Sequence, residues 1–189
     1  MPINTTPRPL KFAKLTQVMR IKGVPVYVHW SVLLIVAIIL LNALRRPLLA
    51  LFGLASYLGV LLIHEYGHVV AARRKLCEVI SIEIYPVFGV TEFQTPWSRF
   101  DHCVIAWGGV IAQLIVALPL VAFVAVFGYT RFEPLNAALA ILGFFSLGVA
   151  IFNLLPLHRL DGSIAWGFFP AFLQRLRTRR QQRQTWRHR

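Results

Sequence analysis

The sequence predicts a membrane protein that is mainly α-helical. Its expected form is about four transmembrane helices with a small membrane-associated β-sheet on the cytoplasmic side. Three observations lead there. Hydrophobic residues make up 57% of the chain and charged residues 14%, too little polar surface for a soluble domain of 189 residues. The apolar residues fall in long uncharged blocks, 30–44, 47–63, 104–130 and 134–157, and about 20 helical residues cross a hydrocarbon core. Two further stretches alternate with period two, as half-buried strands do.

In chain order, residues 1–22 form a basic segment carrying Arg8, Lys11, Lys14, Arg20 and Lys22. It contains no apolar core before Trp30, so no secretory signal peptide is expected. The stretch "IKGVPVYVH", 21–29, sets Val24, Val26 and Val28 in alternation. Spans follow at roughly 29–45, 48–72, 103–127 and 135–157. The first is short for a full crossing. It borrows length from Val26 to His29, or lets Arg45 and Arg46 snorkel to the interface. In 79–93, "VISIEIYPVFGVTEF", Ile80, Ile82 and Ile84 alternate with Ser81, Glu83 and Tyr85. Pro86 and Gly89 then interrupt the run, which reads as two strands joined by a turn, or else as irregular loops. Residues 164–173, "IAWGFFPAFL", are too few to span and suit an interfacial helix, with an arginine-rich tail behind. The expected organisation is therefore a basic N-terminal segment (1–22), a membrane core (23–162), and an interfacial helix with a basic tail (163–189).

The net charge is +13, and it lies outside the apolar blocks. Basic residues beside spans set orientation and touch anionic lipid, which accounts for the charge without a nucleic-acid partner. Four spans with both termini cytoplasmic put residues 1–22, Arg73 to Lys75 and the tail on one side of the cell membrane. Arg45 and Arg46 run against that trend. Cys77 and Cys103 make no disulfide framework and read as reduced thiols.

The chemistry centres on "HEYGH", His64 to His68, an HExxH pattern inside an apolar run. On a helix, positions i and i+4 share a face. Two imidazoles so placed bind one Zn²⁺, and the glutamate between them reaches a water that the metal activates. The plainer reading is a polar helix end with solvated histidines. Against it stands the cost of an ionisable group in a span, about 2.5–3.5 kcal/mol for a charge at the centre. A third ligand is also available. "NLLPLHRLDG", 153–162, closes the last block and carries Asp161. The second and fourth spans run in the same direction, so their C-terminal ends meet at one membrane face, with His64, His68 and Asp161 among them.

With these motifs the chain resembles the site-2 proteases, zinc intramembrane metalloproteases. The likeness rests on "HEYGH" and on the family pattern NxxPxxxLDG, matched at Asn153, Pro156, Leu160, Asp161 and Gly162. "GVPVYVHWS" before the first span and "HVVAARR" after the second are also similar to the family. The resemblance implies His64, His68 and Asp161 as zinc ligands, Glu65 as general base, and a role for Asn153 near the site. An Asn153 amide would donate to the developing oxyanion or hold substrate backbone; a helix-packing hydrogen bond is its other reading. Gly109 with Gln113 departs from the family's usual glycine followed four residues later by Asn, Ser or Gly. Ser163 stands where a second glycine is usual.

The expected function is hydrolysis of peptide bonds in single-span membrane proteins, within or near the lipid bilayer. The alternative is a non-enzymatic metal-binding membrane protein, a scaffold or carrier. The presence of Glu65 argues against an inactive scaffold. A carrier would need more polar lining than Ser31, Asn42 and Gln113 offer. His158 reads as interfacial or as a partner of Asp161. His29 and His102, beside Trp30 and Trp107, read as interfacial anchors.

Overall fold

The computed structural model describes residues 15–158 and 160–187. Residues 1–14 of the basic segment, and His188 of the tail, lie outside that range.

The chain begins with a hairpin. β1 (Leu15–Ile21) pairs antiparallel with β2 (Val24–His29) across Lys22 and Gly23. Both turn residues have positive φ, 49° and 87°. A two-residue turn of that hand matches strand twist, and Gly23 adopts it without steric cost. α1 (Val32–Ala43) and α2 (Pro47–Arg74) lead away from the sheet and back to it. β3 (Val79–Ile84) then lies parallel to β2, with Val26 opposite Ile82. β4 (Gly89–Phe93) closes the sheet antiparallel to β3, giving the order β1-β2-β3-β4.

Both alternating stretches are thus strands. β1 is a strand the sequence does not announce, because most of its side chains are exposed and it carries no hydrophobic stripe. The face of the sheet formed by Val24, Val26, Ile82 and Ile84 packs on Val32, Leu61 and Val69 of the helices. The sheet therefore rides on the half of α2 that holds the histidines.

α3 (Arg99–Phe127) starts at Ser98, whose hydroxyl accepts a hydrogen bond from the Asp101 backbone N–H. It ends at Gly128, φ 73°. α4 (Glu133–Asn153) contains a π-helical turn over Ala140–Phe145. After a loop come the short α5 (Gly162–Ala165) and the long α6 (Phe168–Arg187). α6 runs well past the predicted interfacial stretch. Its Phe168 and Phe172 lie 5.2 and 6.2 Å, ring to ring, from Phe100 at the start of α3.

Among the described residues, α2, α3 and α4 are long and apolar enough to cross a membrane, with 28, 29 and 21 residues. Leu48, Leu51, Ile111, Ile115 and Ile151 are exposed on their surfaces, as lipid-facing side chains would be. The chain is a multi-pass membrane protein, but the expected count of four spans is not met by helix length. α1, the expected first span, has 12 residues. That is about 18 Å of helix against a core of about 30 Å.

α2 and α3 touch backbone to backbone. A side chain on Gly67 would strike the Gly108 carbonyl, and one on Gly108 would meet the Gly67 carbonyl oxygen at 2.6 Å. This contact lays one turn of α3 directly over the histidines.

Candidate metal centre

His64 and His68 project from one face of α2, one turn apart, and both are buried. Their rings are fixed from α3. His68 Nδ1 donates to the backbone carbonyl of Ile105 at 2.8 Å. His64 Nδ1 donates to Gln113 Oε1 at 2.9 Å. A carbonyl oxygen only accepts, so each ring carries its proton on Nδ1, and the Nε2 atoms turn inward. They lie 3.1 Å apart.

Asp161 closes the triangle. Its Oδ2 is 2.9 Å from His64 Nε2 and 3.2 Å from His68 Nε2. Three lone-pair-bearing atoms at these separations repel one another unless positive charge sits among them. The edges suit a small tetrahedral cation, since bonds of about 2.0–2.1 Å place ligand atoms about 3.3 Å apart. Two imidazoles and a carboxylate form a borderline donor set that zinc favours, and each imidazole has the outer hydrogen bond that metal-binding histidines make.

Space for this arrangement comes from Gly109. A Cβ there would lie 2.5 Å from His68 Nε2 and 2.8 Å from His64 Nε2. Asp161 is held by the loop that carries it. The Gly162 backbone presses on the Leu154 carbonyl so closely that no side chain fits. Trp166 Nε1 donates to the Leu154 carbonyl at 2.7 Å, and Trp107 Nε1 to the Ala165 carbonyl at 3.0 Å. Two indoles on either side of the loop thus pin it to α4 and α3.

Glu65, only 2% exposed, points to β4. Thr91 donates its hydroxyl proton to Glu65 Oε2 at 2.7 Å. The ligand atoms of His64, Glu65 and His68 all lie within 4.8 Å of one another, so this trio can itself hold a metal ion. Two carboxylates therefore compete for the third position. Asp161 contacts both Nε2 atoms, whereas Glu65 is engaged by Thr91.

Asn153 is the last residue of α4 and is half-buried. Among the described residues no hydrogen bond links it to the histidines or to Asp161. His158 is exposed. Gln113 is fully buried, with its amide oxygen on His64 and its Nε2 without a partner among the described residues. Thr91, Ile105, Trp107 and Trp166 belong to the site's surroundings without any motif to mark them. Only period two in 89–93, with Gly89 and Thr91 on one face, hints at the role of β4.

This fold and site define a class: a multi-pass membrane protein with a buried metal-binding cluster between helices and a small sheet lying on the cluster. Comparison with known proteins narrows it. No family model matches the sequence. The chain is 30% identical over 172 residues to a "Putative zinc metalloprotease" of Synechocystis sp., covering 76% of this chain and 42% of that one. It is 32% identical over 161 residues to "Putative zinc metalloprotease Rip3" of Mycobacterium tuberculosis, covering 76% and 40%. The chain thus spans about two fifths of the length of these relatives. The solved site-2 protease from Methanocaldococcus jannaschii superposes with a TM-score of 0.62 at 20% identity, over 80% of this chain and 69% of that one. The fold is that of this solved site-2 protease, and the two curated relatives are named as putative zinc metalloproteases.

Proposed function

We propose that the protein is a zinc metalloendopeptidase of the site-2 protease kind. Its substrates are single-span membrane proteins, cut within or near the bilayer. The observation that carries this reading is the convergence of Asp161 on both imidazoles, 2.9 and 3.2 Å from their Nε2 atoms. The i, i+4 spacing on α2 alone brings the histidines together; the Asp161 carboxylate, arriving from a distant loop, completes a three-donor set of the kind that holds zinc.

His64, His68 and Asp161 are the ligands in this reading, and Glu65 is the general base. Zinc held there supplies Lewis acidity, polarising the scissile carbonyl and lowering the pKa of a water. Glu65 accepts the proton of the attacking water and delivers it to the leaving amine. The Asn153 amide donates to the developing oxyanion. Among the described residues β4 ends the sheet and pairs along one edge only, which leaves its outer edge for an unwound substrate segment to pair with by β-addition.

The topology that fits best has the sheet and both termini on the cytoplasmic side. β2 belongs to that sheet, so in this reading the first of four membrane segments is α1, whose 12 residues rise about 18 Å and enter the core without crossing all of it. The alternative, a non-enzymatic metal-binding scaffold or carrier, gains nothing from Glu65, which lies beside the histidines without being needed to hold the ion.

The test is Glu65→Gln. The variant is expected to keep its zinc and its fold and to lose all cleavage of a co-expressed single-span substrate. Cleavage at the wild-type rate would rule out Glu65 as the base. Cleavage by neither protein, across a panel of such substrates, would favour the scaffold.

A further inference from the structure

The strand β4 forms a socket for Glu65. Gly89 and Thr91 are two residues apart on this strand and so point to the same side. On one wall, the bare backbone of Gly89 lies so near the Glu65 side chain that a Cβ would overlap its Cγ, Cδ and Oε1. On the other, the Thr91 hydroxyl reaches two acceptors on Glu65, Oε2 at 2.7 Å and the backbone carbonyl at 3.3 Å. A hydroxyl has one proton to give, and the nearer oxygen takes it. Among the described residues Thr91 is the only hydrogen-bond donor to this buried carboxylate.

A glutamate has three side-chain torsions, and without a partner it samples several rotamers. Its two neighbours in the motif that carry imidazoles are fixed by α3. Glu65 is fixed from the opposite side, by the sheet.

We propose that Thr91 is a positioning residue: its hydroxyl holds the Glu65 carboxylate in the one orientation from which it works. The proposal rests on the function proposed above, and it adds that the sheet orients the base besides offering an edge to substrate. Thr91 acts through Glu65: among the described residues it makes no hydrogen bond to His64, His68 or Asp161.

Two measurements test it. The first needs no activity. Thermal unfolding of the purified full chain in detergent is followed for Thr91→Val, Glu65→Ala and the double variant. Valine keeps the shape of threonine and removes the donor. The expected result is a clear drop in Tm for Thr91→Val in the wild-type background and a much smaller one in the Glu65→Ala background. Equal drops in both backgrounds would show that the two residues are not coupled and would overturn the proposal.

The second measurement is kinetic, with zinc content checked in each variant. Thr91→Val is expected to lower kcat about tenfold or more, with KM and zinc content unchanged. Thr91→Ser, which keeps the hydroxyl, is expected to restore most of the rate. A Thr91→Val variant as fast as wild type, or a Thr91→Ser variant as slow as Thr91→Val, would sink the idea. Should the wild type itself cleave nothing, the proposed function fails, and the unfolding cycle still decides whether Thr91 holds Glu65.

Discussion

Asp161 Oδ2 lies 2.9 Å from His64 Nε2, although one residue sits inside α2 and the other in the loop beyond α4. The contact joins two ends of helices that run in the same direction. It depends on a loop pinned by Trp107 and Trp166 and on a helix crossing close enough for backbone contact.

Removing this carboxylate should empty the site. Asp161→Ala leaves two imidazoles, and its zinc affinity is expected to fall by more than the roughly 10–100-fold that loss of an outer hydrogen-bond partner costs. Metal analysis of the purified variant checks this. Wild-type zinc content would remove Asp161 from the ligand set.

Gln113→Leu separates metal binding from folding. His64 Nδ1 loses its acceptor, so zinc binding is expected to weaken about 10–100-fold in chelator competition. The buried amide group that lacks a partner disappears with it. Unfolding of the metal-free protein is therefore expected at or above the wild-type temperature. A strongly destabilised metal-free variant would mean that Gln113 serves packing and not the ring of His64.

Two glycine substitutions should differ in kind. Gly109→Ala puts a methyl group 2.5 Å from His68 Nε2, so the ring must move and metal affinity is lost. Gly67→Ala instead drives a methyl group into the Gly108 carbonyl and pushes α2 and α3 apart. Overpacking of that kind costs about 1–3 kcal/mol. The expected pattern is a Gly109 variant that unfolds near the metal-free wild type, and a Gly67 variant with a lower Tm and less metal. Equal Tm values for the two variants would contradict the crossing geometry.

What could be read without coordinates is what depends on near neighbours in the chain. The spacing of His64 and His68 fixes their shared face on any helix. The valines of β2 and the isoleucines of β3 declare strands by alternation, and the uncharged blocks declare their solvent. β1 carries no such mark, because its exposed side chains leave no periodic stripe. α1 ends after 12 residues because part of its apolar block is used elsewhere, in the turn after β2 and the link to α2.

The amino-acid sequence by itself determined the apolar blocks, the alternating stretches at 21–29 and 79–93, and the pair of imidazoles with a glutamate between them, since each follows from side-chain spacing between near neighbours. The direction of the spans already pointed to Asp161 meeting the rings; the tertiary structure alone decided how closely it does so, that Ile105 and Gln113 orient the rings, and that Thr91 grips Glu65. Those contacts depend on how closely α2 and α3 cross at Gly67 and Gly108 and on how the sheet lies over α2. Both are set by the packing of distant segments, which no local pattern encodes.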